Sequence, residues 1–432
     1  MKKKNIADKE IPFGMLCPCG SGKTYGRCCK KKDFKFVHKD GKIVKQIPIH
    51  DDLIPLLQEA DTKYEQYYGR KPSENDFVIS FAPIYNNEVL LQAVYCMRQV
   101  GIPESNIYAY YKSDGLFPCD INIKLLPQKE IQEYESLCEE FEKAMQPPQN
   151  NSISALQFVL LTNPLIRETS EYVICAVIDT LNDYIHRHSD CETILKYQMT
   201  TEQDYCLFSA LKTLKTLQSI QQLTTAHLTE CIYAMGRGIF ENYMYMCNIN
   251  NDSNFFAEIL LPKVDQTNYT FARRPDGSIN YKRVVKNETG EERNINVNIS
   301  DLVGNLPYDT DKDLYHSFYT MACQYVHVDV MSAKSYFSVC DPYDEVDPAL
   351  LASLVVGLLS VFLLLQIASN ASTQKQYQED VNYLCCKILL PKISESLLLA
   401  NSDPEHKNDI FDLLLRRISE ILKTDKKSID SV

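Results

Sequence analysis

Glycine and proline are scarce in this chain, 14 and 19 of 432 residues. That scarcity excludes a collagen-like repeat and a Pro/Gly-rich disordered tract, and 45% hydrophobic residues beside 24% charged ones exclude a disordered polyelectrolyte. No coiled-coil pattern, repeat of solenoid period or long low-complexity tract runs through it. No apolar stretch or small-residue cleavage site follows the charges of Met1 to Gly14, so a secretory leader is not expected and the cytoplasm is the expected compartment. The remaining class is a mainly α globular protein, long enough for two or three compact units.

Charge is unevenly placed. Residues 1–45 hold thirteen Lys/Arg against four acids, a net of +9, which leaves −21 on the rest of a chain whose total is −12. A basic head on an acidic body points to the head as the part that meets a polyanion. The 27 tyrosines lie mostly in the acidic body without interleaved Lys/Arg, which makes them core and interface residues rather than base-stacking platforms. Sixteen cysteines are too dispersed for a disulfide scaffold; twelve stand apart from the one cluster and read as small core residues, with Cys385 and Cys386 on different helix faces.

Periodicity divides the chain into a short basic module at 1–45, a small α/β segment at 47–146 and a helical bundle at 152–432. The middle segment is expected to contain helices at Asp52 to Tyr68, Asn87 to Val100 and Lys129 to Met145, with strands at 77–82 and at Asn106 to Tyr111. Gln146-Pro-Pro-Gln-Asn-Asn-Ser has no apolar residue and two prolines, so it forms a linker. Beyond it, helices are expected at Ser154 to Leu161, Ser170 to His186, Thr201 to Met246, Asp313 to Met331, Pro348 to Ala371, Gln374 to Leu399 with a break at Pro391, and Asp403 to Lys423. Turn signals at Arg274-Pro-Asp-Gly and Asn287-Glu-Thr-Gly interrupt them with a β insertion at about 269–299.

Ala349 to Ala368 carries no charge over 20 residues, ~30 Å as a helix and long enough to cross a bilayer. The flanks lack a Lys/Arg cluster and an aromatic belt, and Ala349, Ser353 and Gly357 form a stripe of small residues suited to close helix packing. A buried central helix is expected, with a membrane span as the alternative.

One short motif carries chemistry. Cys17-Pro-Cys19-Gly-Ser-Gly-Lys-Thr-Tyr-Gly-Arg-Cys28-Cys29 sets four thiols within thirteen residues, with three glycines between the pairs to let the backbone wrap a small ion. Four soft ligands suit tetrahedral Zn²⁺, and Lys23, Arg27, Lys30, Lys31 and Lys32 offset the charge of four thiolates. Gly20-Ser-Gly-Lys-Thr24 ends like a phosphate-binding P-loop, yet Cys17 occupies the required first glycine and no apolar strand precedes it. A redox dithiol would need C-x-x-C before a helix, which this motif lacks.

The pattern C-x-C-x-S-G-x-x-Y-x-x-C-C resembles the SEC-C motif, a zinc-binding tail named for the preprotein translocase motor SecA and appended to many unrelated bacterial proteins. The resemblance spans about 20 residues, with Cys17, Cys19, Ser21, Gly22, Tyr25, Cys28 and Cys29 in register. It implies that the four cysteines ligate zinc and that the module recruits a protein partner or the ribosome and its nucleic acid through basic surface. It implies no motor activity, and a zinc staple without a partner is the bland alternative.

A weaker constellation lies in the body. Arg237 and Glu241 share one helix face in Met235-Gly-Arg-Gly-Ile-Phe-Glu241, and Tyr319, Cys323, Tyr325, His327 and Asp329 fall on a later expected helix. The stretch from Gln198 to Lys392 is similar to a bacterial helical family catalogued as a domain of unknown function, with an R-x-x-x-E helix and a later Tyr/His helix. Arg237, Glu241 and His327 are therefore candidate catalytic residues of an alternative reading, a nuclease-like or phage-defence effector with His327 as general acid or base. Against it, the R-x(4–6)-H spacing of HEPN ribonucleases is absent, and an intrahelical ion pair explains Arg237 and Glu241 as well. His186, His188, Asp190 and Cys191 read as solvated helix-end surface.

Overall fold

The computed structural model describes residues 9–18, 21–31, 35–39, 42–46, 58, 61–66, 69–73, 87–99, 101–119, 122–124, 126–146, 153–188, 199–252, 254–327, 329–337, 340–371, 374–402 and 408–429. The protein is mainly α with two small antiparallel sheets. It divides into two compact units, Met1–Lys143 and Ala144–Val432.

The first unit opens with a three-stranded sheet of β1 (Lys9–Glu10), β2 (Lys35–Lys39) and β3 (Lys42–Gln46), in that order. Residues 61–66 are helical, and further along come α1 (Asn87–Gln99), α2 (Glu104–Lys112) and α3 (Gln128–Ala144). Helix α1 stops where expected, before Gly101 at φ +78°. The strand expected at Asn106 to Tyr111 is instead the body of α2. Pro103 sets the helix start, and Ile107, Tyr108, Ala109 and Tyr111 fill one buried arc. Tyr108 packs on Phe141 of α3 with ring centroids 5.6 Å apart, so tertiary packing overrides the aromatic strand preference. The strand expected at 77–82 lies outside the described residues, as does much of the helix expected at Asp52 to Tyr68.

The second unit is a helical bundle. Its early helices are α4 (Ala155–Arg187), α5 (Glu202–Thr225) and α6 (Thr229–Asn251). Helix α4 joins two expected helices, continuing through Pro164 because Val159, Ile166, Val173, Val177, Leu181 and Tyr184 keep one apolar face on the core. Conversely, the long helix expected from Thr201 breaks at Ala226, His227 and Leu228, where His227 adopts φ +55° and its Nδ1 lies 2.9 Å from Asp347. The insertion is a meander of β4 (Tyr269–Arg273), β5 (Ile279–Lys286) and β6 (Glu292–Asn294), turning at Gly277 and Gly290 with positive φ.

The later helices are α7 (Asp309–Leu314), α8 (Thr320–Val326), α9 (Pro348–Asn370), α10 (Lys375–Tyr383), α11 (Leu390–Ala400) and α12 (Asp409–Ile429). Wider π-helical turns at Tyr315–Tyr319 and Leu384–Leu389 join α7 to α8 and α10 to α11. The break expected at Pro391 is thus a widened turn just upstream, which accommodates a residue lacking an N–H donor.

Helix α9 is the hub, packing against α4, α5, α6 and α10, and 83% of its most apolar window is buried inside the chain. Residues Ala349 to Ala368 therefore form the core helix of the bundle. The small-residue stripe has its expected use: Ser353 Oγ lies 2.7 Å from Thr224 Oγ1 on α5, and Gly357 faces Val173 and Ile174 on α4. The solitary cysteines are less uniform than expected. Cys206, Cys247, Cys385 and Cys386 are buried, but Cys96, Cys175 and Cys231 are exposed, because a cysteine flanked by apolar residues in sequence can still lie on the outer arc of a helix.

Two glycines of α6 separate packing from helix propensity. A Cβ at Gly236 would sit 2.5 Å from Val356 Cγ2 of α9, whereas a Cβ at Gly238 meets open space. Gly238→Ala is expected to stabilise the bundle by about 0.5–1 kcal/mol through propensity alone. Gly236→Ala gains the same propensity but wedges the two helices, for a net loss of about 1–2 kcal/mol. Urea unfolding of the two variants checks the opposite signs.

Candidate metal centre

The motif folds as a knuckle. Leu16 bridges Thr24, Cys17 N–H donates to the Lys23 carbonyl at 2.8 Å, and the intervening turn passes through Gly22 at φ +72°. One turn of 3₁₀ helix, Tyr25–Arg27, then delivers Cys28, and a second turn, Cys29–Lys31, carries its neighbour. Adjacent side chains diverge in helices and strands alike. Here they converge because Cys28, at φ −124° and ψ −99°, belongs to neither.

The sulfurs of Cys17, Cys28 and Cys29 all lie within 4.8 Å of one another, and Cys28 and Cys29 are 3.8 Å apart. That is too far for a disulfide, at about 2.05 Å, and close enough for three donors to share one ion. Cys17 and Cys29 are buried and Cys28 is half-buried, so the group is shielded from solvent. Ser21 Oγ lies 3.1 Å from Cys28 Sγ. Toward a metal-bound Cys28 sulfur only the Ser21 hydroxyl can donate, which orients the ligand from outside the coordination shell.

Residues 16–31 are a SEC-C motif by the protein-family comparison. No curated protein and no solved structure matches the chain. In the SEC-C module the tyrosine of the pattern is a core residue rather than a contact residue. Tyr25 is fully buried among Ile11, Cys17, Cys29 and Phe36, with its ring edge-on to Phe36. Its hydroxyl donates to Glu10 Oε1 at 2.8 Å, and burial followed by the Glu10 hydrogen bond pushes its pKa up. Glu10 also accepts from Lys30 Nζ at 2.7 Å, and these hydrogen bonds, Lys30 first, hold its carboxyl below the usual range. Cys19 and Lys32 lie outside the described residues.

The basic side chains therefore differ in use. Lys30 is tied to Glu10 and lies over the Phe13 ring at 5.0 Å, so it serves the module's own packing. Lys23, Arg27 and Lys31 are exposed. Sequence spacing alone does not separate these groups, because the distinction depends on β1 lying beside the knuckle.

In the bundle, the structure joins two of the three candidate catalytic residues. Arg237 and Glu241 are 2.9 Å apart, and both engage Tyr319: its hydroxyl donates to Glu241 Oε1 at 2.8 Å and accepts from Arg237 Nη2 at 3.3 Å. Tyr319 sits in the π-helical turn, and burial raises the pKa of its hydroxyl, with the Glu241 hydrogen bond next. His327 stands apart. It is exposed at the C-cap of α8, where the helix has ended, and no side-chain hydrogen bond or ion pair links it to Arg237 or Glu241 among the described residues. In place of the candidate set with His327 stands a clamp of Arg237, Glu241 and Tyr319 between α6 and the π turn.

The helix-end histidine cluster is also resolved in part. His188 Nδ1 lies 2.7 Å from the Tyr184 carbonyl and its ring packs on Tyr184, while Asp190 and Cys191 lie outside the described residues. Sequence reasoning missed a network of Tyr243, Asp311 and Arg417, each at most 1% exposed. Arg417 Nε donates to Asp311 Oδ1 at 2.7 Å, Arg417 Nη2 to the Tyr243 hydroxyl at 2.8 Å, and that hydroxyl to Asp311 Oδ2 at 2.8 Å. A signal was present: Phe411, Leu414, Arg417, Ile418 and Ile421 follow helical spacing, which sets a charge on an apolar face.

Proposed function

We propose that Cys17, Cys19, Cys28 and Cys29 hold one Zn²⁺ and that the knuckle so fixed recruits a polyanionic partner, ribosomal or other nucleic-acid phosphate, for the helical body. The convergence of three motif sulfurs within 4.8 Å carries the reading. With Zn–S bonds of about 2.3 Å, sulfurs on a tetrahedral ion are about 3.8 Å apart, the separation of Cys28 and Cys29. Bound zinc supplies folding energy and offers no open coordination position once four thiolates surround it. Ser21 orients the sulfur of Cys28, and Tyr25, Glu10 and Lys30 brace the wall behind it.

What supports recruitment is the contrast between the head, at +9, and the rest of the chain, at −21. Phosphate binding by Lys and Arg is an electrostatic effect that weakens with salt. Lys23, Arg27 and Lys31 are exposed cations of the knuckle among the described residues. Charge reversal at all three, Lys23→Glu/Arg27→Glu/Lys31→Glu, is expected to weaken co-sedimentation with ribosomes at least tenfold while metal content stays unchanged. Replacing them with glutamine is expected to flatten the slope of log affinity against log salt by about 2–3. Association that survives charge reversal would overturn the polyanion reading. Retention of a protein partner alone would move the contact to the protein class.

A further inference from the structure

The β insertion is the cationic exception in an acidic body. Residues 269–294 carry six Lys/Arg against four acids, a net of +2, whereas the rest of the chain beyond residue 45 totals −23. Three of those acids are committed: Glu292 pairs with Arg283, Glu291 with Arg293 and Glu288 with Lys286. The fourth, Asp276, accepts from the backbone N–H and the hydroxyl of Ser278. Arg273, Arg274 and Lys282 are left exposed, with no carboxylate within ion-pair distance among the described residues. Arg273 Nη1 and Arg274 Nη1 donate to neutral acceptors, the Gly277 carbonyl and Ser278 Oγ.

An irregularity in the sheet sets an aromatic ring among these cations. The register pairs Phe271 with Val284 but Ala272 with Asn280, so Tyr281, Lys282 and Arg283 have no partner on β4. A regular strand alternates its faces, whereas this bulge leaves all three consecutive residues exposed. Tyr281 is 67% exposed, and its ring is propped against Phe271 at 5.3 Å between centroids. From this geometry we infer that the β4–β5 hairpin binds single-stranded nucleic acid, with a base stacked on Tyr281 and phosphates held by Arg273, Arg274 and Lys282. Charge complementarity selects a polyanion. The exposed ring selects a single strand, whose bases can leave the stack where a duplex keeps them paired. Acids of the body more than ~8 Å from the strand are screened at physiological salt. The surface is separate from the knuckle cations and requires no metal.

Fluorescence anisotropy with a labelled oligo(U) of about twelve nucleotides, beside a duplex of equal length, tests the assignment. The full chain carries Lys23→Gln/Arg27→Gln/Lys31→Gln throughout, so that the hairpin is read apart from the knuckle. In that background Tyr281→Ala is expected to weaken oligo(U) binding at least fivefold with its salt dependence unchanged. Tyr281→Phe, which keeps the ring, is expected to stay within about twofold. Arg273→Gln/Arg274→Gln/Lys282→Gln is expected to flatten the slope of log affinity against log salt by about 2, three phosphates at ~0.7 each. All these positions are exposed, so the thermal midpoint should not move. Equal binding in Tyr281→Ala, a slope unchanged in the triple glutamine variant of the hairpin, or duplex bound as tightly as oligo(U) would each overturn the proposal. Binding by the wild-type chain that vanishes in the knuckle background would place the contact on the knuckle alone. Absence of binding by both would leave the hairpin to a protein partner, and either result rejects the site.

Discussion

Asp311→Ala is expected to destabilise the helical body by about 3–5 kcal/mol, the cost of leaving a buried charge without its partner. Arg417 is 1% exposed and cannot turn to solvent, because it is stacked against Tyr308 and Phe362 on α9 and the loop before α7. Burial is the largest influence on the Asp311 carboxyl and raises its pKa, opposed by Arg417 and by the Tyr243 hydroxyl. The network thus tolerates the removal of all its polar groups together far better than the removal of one. Tyr243→Phe/Asp311→Leu/Arg417→Met is expected to recover most of the stability lost in Asp311→Ala. Urea unfolding followed by circular dichroism measures both. A loss under about 1 kcal/mol in Asp311→Ala would show that solvent reaches the pair and screens it.

A second large effect is expected at the SEC-C module. Its apolar core comprises Ile11, Cys17, Tyr25, Cys29 and Phe36, too few residues to order a segment of this length by burial alone. Two of the five are proposed metal ligands. Metal binding in small structural sites supplies about 10–16 kcal/mol of apparent free energy, so Cys28→Ser/Cys29→Ser, or a strong chelator, is expected to unfold residues 9–46 while sparing the bundle. Tryptic cleavage at Lys23, Arg27 and Lys31 should then accelerate by orders of magnitude, with the thermal midpoint of the body unchanged. Acid acts in the same direction, because protonation of the thiolates competes with the metal as pH falls. Cleavage at the wild-type rate in the double variant would mean that packing around Tyr25 suffices.

What was legible in the sequence follows from the range of the interactions. Helix α1 and its stop before Gly101, the core helix at Pro348–Asn370 and the turns at Gly277 and Gly290 are set by local signals, and they appear where periodicity and turn chemistry place them. The metal-binding motif is equally local: Cys17, Cys28 and Cys29 come together within fifteen residues of chain. Features that depend on distant partners were not legible. Helix α2 was expected as a strand because its Tyr/Ile content is decided by packing on α3. The break at His227 carries no glycine or proline and coincides with a contact of His227 Nδ1 with the Asp347 carboxylate, 120 residues away. Likewise Arg237 and Glu241 found Tyr319 rather than His327, since α8 ends at Val326, five residues short of the helix end expected at Met331, and leaves His327 at its C-cap.

The most direct test of the account is the metal content of the purified full chain, read by inductively coupled plasma mass spectrometry beside the Cys28→Ser/Cys29→Ser variant. The account predicts close to one zinc per wild-type chain and a small fraction of that in the variant; wild-type protein without zinc, or with zinc retained in full by the variant, would contradict it.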